Sequence, residues 1–371
     1  MGNSRLSPVL IGVICLVLVA FVLLVVSMFS DNTGLNNGEQ KGNANAVAPV
    51  IELSVNTSEG NQERVIITVL STTEDEAGID YIELPNVTQI FADNKEYEVT
   101  KNGNYSFKAV GKNGAEDTLS IEISNIREVS SNNPYIPEGF EHIGGEVEEG
   151  FIIQDKIGNQ YVWVPIETGI LTRATMMNTE YEESNGLATS LVNSVAKNYG
   201  FYIARFEASL YEQRGQKVAA SIAGQIPWTN VTFQEAYDAS LLAATAFEYT
   251  DVSTALINSY AWDSTLNWLN KTITNYSTNT SYGNYSGTIY PTGATQSDII
   301  NNICDMAGNV REWTTEIYKT EIEDDDEIEI ISRVVRGGSA SINKIANSRN
   351  GYPENLTDGY WGFRTVLYKT N

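Results

Sequence analysis

The chain has 371 residues, enough for two or three domains with cores of their own. It carries 47 acidic against 23 basic residues, a net charge of -24, and its Lys and Arg are nowhere clustered. Phosphate backbones are held by clustered cations, so the balance argues against nucleic acid as a partner.

Val9 to Phe29 is a run of 21 residues without a charge, bounded by Arg5 and Asp31. A helix of that length spans roughly 30 Å, the hydrocarbon thickness of a bilayer. The expectation is a membrane-spanning anchor. A cleaved signal peptide is the competing reading, but Ser27-Met-Phe-Ser30 offers it a poor cleavage site. Arg5 and the amino terminus place residues 1–8 in the cytoplasm and the chain after 30 outside. The expected localisation is therefore a single-pass cell-membrane protein with its bulk extracellular. Of the two cysteines, Cys15 lies in the apolar run and Cys304 far beyond it, so they are not expected to pair. Cys304 reads as a small core residue, because no histidine base is near it in sequence.

Residues 30–48 are rich in Asn and Gly and read as a flexible linker. Between 49 and 127 the pattern changes to short strands: Val65–Leu70, Ile79–Leu84, Glu96–Val99, Tyr105–Val110 and Thr118–Ile123. Asn102-Gly103 and Asn113-Gly114 read as type I′ hairpin turns, which need positive φ at both central residues. About 80 residues of this kind predict an all-β sandwich. Residues 128–139 form a second linker, interrupted by Pro134 and Pro137.

The remainder, 140–371, opens with strands around Phe151 and Tyr161 and continues with three helical patterns. The first runs from Leu187 to Lys197 and is expected to end at Gly200. The second starts at the capping box Thr232-Phe-Gln-Glu235. The third carries Trp262, Thr265, Leu266 and Leu269 on one face. All six tryptophans lie here and read as core, with Trp361 open to exposure on a late loop. Thr272 to Gly293 has the Asn, Ser, Thr and Tyr mix of an adaptable binding surface, or of a disordered insertion. Glu321 to Glu329 holds seven acids in nine residues and reads as solvated.

The densest chemistry is in Asn302-Ile-Cys-Asp-Met-Ala-Gly-Asn-Val-Arg-Glu-Trp313. Gly308-Asn309 is a turn dipeptide, so the chain must fold back between Asp305 and Glu312. A folded-back segment can aim both carboxylates at one point, as a hard cation such as calcium requires. The alternative is a turn with two solvated acids.

DMAGNVREW (305–313), followed in order by RVVRGGS (333–339) and GFR (362–364), resembles the signature of the sulfatase-modifying-factor family, typified by the formylglycine-generating enzyme. GFYIARFEAS (200–209), IPWTNVTFQEAYDAS (226–240) and SYAWDSTLNWL (259–269) extend the resemblance over roughly 134–371. It implies an α+β domain with a variant of the C-type lectin fold. It also implies calcium at the central motif, held by Asp305 and Glu312 with the carbonyls of Gly308 and Val310. The strands before it resemble bacterial immunoglobulin-like repeats, through IDYIELP and YEVTKNGNYSFKAVGKNG. The family's oxidases bind copper through two cysteines between RGGS and GFR, and residues 340–361 contain none. Iron-dependent relatives use histidines, and this chain has only His142. Neither copper nor iron is expected.

Three functions follow as expectations. The first is a surface protein that binds an extracellular protein or glycan through late loops bearing Asn343, Asn347, Arg349, Asn350, Tyr352, Tyr360 and Trp361. Arg349 and Arg364 have an alternative role as structural ion partners. The second is a metal-dependent oxidoreductase with a displaced site. The third is a variable receptor diversified by reverse transcription, whose changeable residues precede GFR.

Overall fold

The strands expected between Val65 and Ile123 form in a computed structural model that describes residues 46–55, 64–173, 181–183, 185–318 and 332–370. Strands β1 (Val50–Val55), β2 (Val65–Thr72) and β5 (Asn94–Val99) make one antiparallel sheet. Strands β3 (Ile79–Glu83), β4 (Gln89–Ile90), β6 (Gly103–Gly111) and β7 (Glu116–Ile123) make a second, in the order β4-β3-β6-β7. Alternation drives the pairing: Val65, Ile67 and Val69 of β2 are buried and the residues between them are not. With Ile51, Ile82, Phe107 and Ile123 they form one core drawn from both sheets. Each such side chain contributes about 1.5–3 kcal/mol on burial.

The turns differ from expectation. Asn113-Gly114 does join the paired strands β6 and β7, but only Gly114 has positive φ, and the Asn113 side chain accepts from Ala115 N–H. This excludes type I′, which needs two left-handed residues. Asn102-Gly103 joins strands of different sheets, and the Asn102 amide pins the backbone of Ile126.

Beyond Pro134 a six-stranded sheet runs β15 (Val252–Leu256), β22 (Thr365–Lys369), β12 (Gly200–Ala204), β10 (Gln160–Pro165), β9 (Ile152–Asp155) and β8 (Phe140–Gly144). A second sheet holds β11 (Tyr181–Glu183), β18 (Arg311–Tyr318), β19 (Ser332–Arg336) and β20 (Arg349–Pro353), with β21 (Trp361–Phe363) parallel to β18. Two short hairpins complete the strands, β13 (Ser209–Gln213) with β14 (Gln216–Ala220), and β16 (Ile299–Ile300) with β17 (Ile303–Cys304).

Three α-helices are described: α1 (Asn185–Asn198), α2 (Phe233–Ala246) and α3 (Ser259–Thr272). Helix α2 starts at the expected capping box, with the Thr232 and Glu235 side chains each reaching the other's backbone N–H. Asn258 caps α3 by accepting from Ala261 N–H. Helix α1 stops at Tyr199, which takes φ 58°, rather than at Gly200. Gly200 instead starts β12, where a Cβ would come within 2.1 Å of the Trp163 ring. Trp163, Trp262 and Trp313 are fully buried, and Trp361 is only 7% exposed, so it is core and not a surface residue.

Among the described residues the fold is mostly β, which corrects the α+β expectation, because α-helix there is confined to three segments of 14 residues. No helix among the described residues is long and apolar enough to cross a membrane. The expected transmembrane helix and single-pass membrane localisation are corrected on this finding. Val9–Phe29, the stretch that suggested them, and the acidic run Glu321–Glu329 lie outside the described residues.

Candidate functional site

The central turn folds back as its composition requires. Asp305, Gly308 and Asn309 all take positive φ, at 56°, 86° and 55°. Its acids are not solvated, however: Asp305 and Glu312 are buried with Glu207, which comes from the stretch after β12. Asp305 Oδ2 accepts from Gly293 N–H at 2.7 Å and from the Thr292 hydroxyl at 3.3 Å. Glu207 accepts from Val310 N–H at 3.0 Å and from the Asn309 amide at 2.6 Å. The Arg364 guanidinium donates to both Glu312 oxygens, and to the carbonyls of Ala204, Cys304 and Asp305.

Burial raises the carboxyl pKa of Glu207 well above its ordinary range, and the Asp305 and Glu312 charges add to the effect. Burial also raises Asp305 and Glu312, with Arg364 opposing in both. For Arg364 burial pulls downward, but Glu312, then Glu207 and Asp305, outweigh it and keep the guanidinium charged.

These residues do not fit the expected calcium ion. Calcium takes roughly six to eight oxygens, whereas both Glu312 oxygens are already satisfied by a guanidinium. Gly308 lies so close to Asn284 that a Cβ would meet its backbone N at 2.7 Å. Val310 is buried, with its N–H given to Glu207. Among the described residues no group of three or more His, Cys, Asp or Glu is arranged to hold a metal. Thermal unfolding in excess calcium and in chelator is therefore expected to give the same Tm, since only a ligand bound to the folded form raises it. A saturable rise with calcium would restore the ion.

A second buried network lies behind β19. Asp263 of α3 and Glu316 of β18 share Arg336, at 2.7 and 3.3 Å. Arg349 pairs with both acids, through Nε to Glu316 at 3.0 Å and through its other end to Asp263. Arg173 reaches Glu316 at 2.8 Å, and Asn347 accepts from Arg336 and Arg349. Arg349 and Asn347, expected on a binding face, are thus engaged in structural pairing, as is Arg364.

Of the other late-chain residues, Asn343 and Tyr360 lie on a cluster of loops, and Asn350, Tyr352 and Trp361 on strands β20 and β21. Arg311 N–H binds the Tyr360 carbonyl, and Ala340 N–H the Asn309 carbonyl. Gly287 N–H binds the Ala340 carbonyl, and Asn230 N–H the Asp358 carbonyl. The Tyr360 hydroxyl donates to the Gly287 carbonyl at 3.2 Å and the Tyr285 hydroxyl to the Lys344 carbonyl at 2.8 Å. Residues 224–230, 283–293, 340–346 and 354–360 are thereby stitched into one face. Asn343 is exposed and Tyr360 half-buried on it, while Asn350 and Tyr352 are half-buried on strand β20, where Tyr352 packs against the Trp361 ring. Trp361 lies beneath, its ring 5.3 Å from Trp313 and 4.3 Å from Tyr352.

Several buried charged residues escaped the sequence reading, among them Asp263, Glu316 and Arg336 of the second network, and also Glu207 and Arg311. Glu207 carries a faint signal, a lone acid in the apolar run FYIARFEAS. Arg311 carries none, because its partners Asn350 and Tyr352 are 39 and 41 residues away. Cys304 is buried as expected, and burial pushes its thiol up to about 12. His142 is exposed on β8, stacked on Phe151.

Comparison with known proteins follows this geometry. Residues 170–369, more than half of the chain, match the family described as the sulfatase-modifying factor enzyme 1-like domain. No curated protein matches the chain. Among solved structures it is similar to Treponema denticola variable protein 1, at 13% identity and a TM-score of 0.37, over 63% of this chain and 100% of that one. That likeness is too loose to argue from. The motifs and the matched span agree on one conclusion: the chain belongs to the sulfatase-modifying factor enzyme 1-like family.

Proposed function

We propose that this family member binds a protein or glycan ligand through the loop face bearing Asn343 and Tyr360 together with Asn350 and Tyr352 of the edge strand β20. The observation that carries the reading is the cross-stitching of four loop segments by backbone hydrogen bonds under half-exposed Asn and Tyr side chains. A face ordered before binding loses little entropy on contact, and Tyr and Asn supply area and hydrogen bonds cheaply. Redox chemistry at the same place lacks its donors, since residues 340–361 hold no cysteine. In this reading the strand-rich unit of residues 49–127 is an immunoglobulin-like spacer, joined by residues 128–139 to the binding domain of 140–371.

The test is a screen of the full chain against glycan and protein arrays, repeated with the double variant Asn343→Ala, Tyr360→Ala. The expected result is a bound ligand whose affinity falls roughly tenfold or more, about 1.4 kcal/mol, in the variant while Tm is kept. A ligand bound equally by both forms, or turnover of a cysteine peptide, would count against it.

A further inference from the structure

Arg311 is 2% exposed and has no carboxylate within ion-pair distance among the described residues. The equally buried Arg336 and Arg364 each hold at least one acid. Its guanidinium donates to the Tyr352 hydroxyl at 3.1 Å and to Asn350 Oδ1 at 2.6 Å, and its Nε has no hydrogen-bond partner. It also lies 5.4 Å from the centre of the Tyr352 ring. Glu354, the residue that follows β20, is already taken by Arg333 at 2.7 Å. A buried cation held only by neutral groups keeps its field uncompensated.

The polarity of those two hydrogen bonds has a chemical consequence. Arg can only donate, so Asn350 must turn its oxygen inward, which turns its NH2 away from Arg311. Tyr352 likewise accepts from Arg311, so its own O–H points elsewhere. Both residues are half-buried and sit on β20, the outermost strand of its sheet. Two outward donors above a buried guanidinium are the complement of a carboxylate, which only accepts.

We propose that Arg311, Asn350 and Tyr352 form a carboxylate-reading subsite, and that its ligand is an acidic side chain of an extended peptide lying along β20. The inference rests on the reading of this face as a binding surface and names the chemistry it selects. A peptide is favoured because β20 has no described strand on its outer edge, so a strand can be added there. Alternate side chains of such a strand share the face of Asn350 and Tyr352. Arg311 here is a positioning and charge-supplying residue. Asn350 and Tyr352 make the contact.

The probes are a short glutamate-containing peptide, its glutamine counterpart, and glucuronate, each titrated into the full chain while the Arg311 Nε–H resonance is followed. The glutamate peptide is expected to shift that resonance saturably, with the glutamine peptide roughly tenfold weaker or worse. Asn350→Asp supplies Arg311 with an acid of its own. It should melt at or above the wild-type temperature yet lose the glutamate peptide. Tyr352→Phe should weaken binding while keeping the ring contact. Equal binding of the two peptides, wild-type affinity in Asn350→Asp, or saturation by glucuronate without the peptide would each overturn the proposal. If both peptides bind alike and the Asn343→Ala, Tyr360→Ala variant loses them, the face still binds ligand and only its charge preference fails.

Discussion

Arg364→Ala is expected to destabilise the protein by about 3–5 kcal/mol, a large share of the total stability of a typical domain. The side chain is fully buried and donates to both Glu312 oxygens and to three backbone carbonyls. Its removal leaves a buried carboxylate without its partner, and the cost of that uncompensated charge exceeds what the pair itself was worth. The carbonyls belong to Ala204 at the end of β12 and to Cys304 and Asp305 at the turn, so the loss would loosen the joint between the two sheets. Arg364→Lys should fall between, because an ammonium keeps the charge but cannot fork across a carboxylate. The useful contrast is Arg64→Ala. Arg64 and Glu98 are 66% and 51% exposed, and exposed pairs of this kind are worth roughly 0–1 kcal/mol. Urea denaturation of the three variants measures the difference. If Arg364→Ala unfolded at the same denaturant concentration as Arg64→Ala, the buried network would not be what holds the turn.

Stability is expected to fall as pH rises from about 5 to 8, the reverse of ordinary acid denaturation. Burial raises the Asp298 carboxyl from 3.8 to about 8, against the Tyr276 hydroxyl and Ala307 N–H that favour its charged form. Glu207, Asp305, Glu312 and Glu183 are raised too, each chiefly by burial. An acid with a raised pKa binds its proton more tightly in the folded state. Its contribution is present below the unfolded pKa and is lost as pH climbs through the folded one. The acids shifted the other way, Asp75, Glu167 and Glu235, lose their contribution only in the more acidic range below this window. Each pKa unit corresponds to about 1.4 kcal/mol, and about 1 kcal/mol moves Tm by roughly 2–4 °C in a domain of this size. A fall of several degrees is therefore expected between the two ends. Asp298→Asn, which can still accept from Ala307 N–H, should flatten the slope. A Tm that climbed steadily from pH 5 to 8 would show that Asp298 and Glu207 are ionised in the fold.

What could be read in advance was local. Val65, Ile67 and Val69 announce a half-buried strand by alternation, and Thr232 with Glu235 announces a helix start, because both signals span a handful of residues. The Gly308-Asn309 reversal was legible for the same reason. Partnerships across the fold were not. Glu312 and Arg364 are 52 residues apart, and the spacing that suggested two carboxylates around a cation gives no hint that an arginine supplies the charge. Trp361 reads as a loop aromatic in the sequence, but β21 runs parallel to β18, which carries its ring inward beside Trp313. Arg349 reads equally as a surface anchor or an ion partner, and register opposite Arg336 decides for the second by delivering it to the same two acids.

Strand β22 lies between β12 and β15 and pairs with both, although those partners precede it by more than a hundred residues. During synthesis, then, β12 and β15 emerge from the ribosome long before the strand that separates them, each with an open edge inviting the wrong neighbour. The larger sheet cannot assemble segment by segment; it closes only once Thr365–Lys369 have left the exit tunnel, so a message cut short just upstream would yield a polypeptide whose longest sheet is split in two.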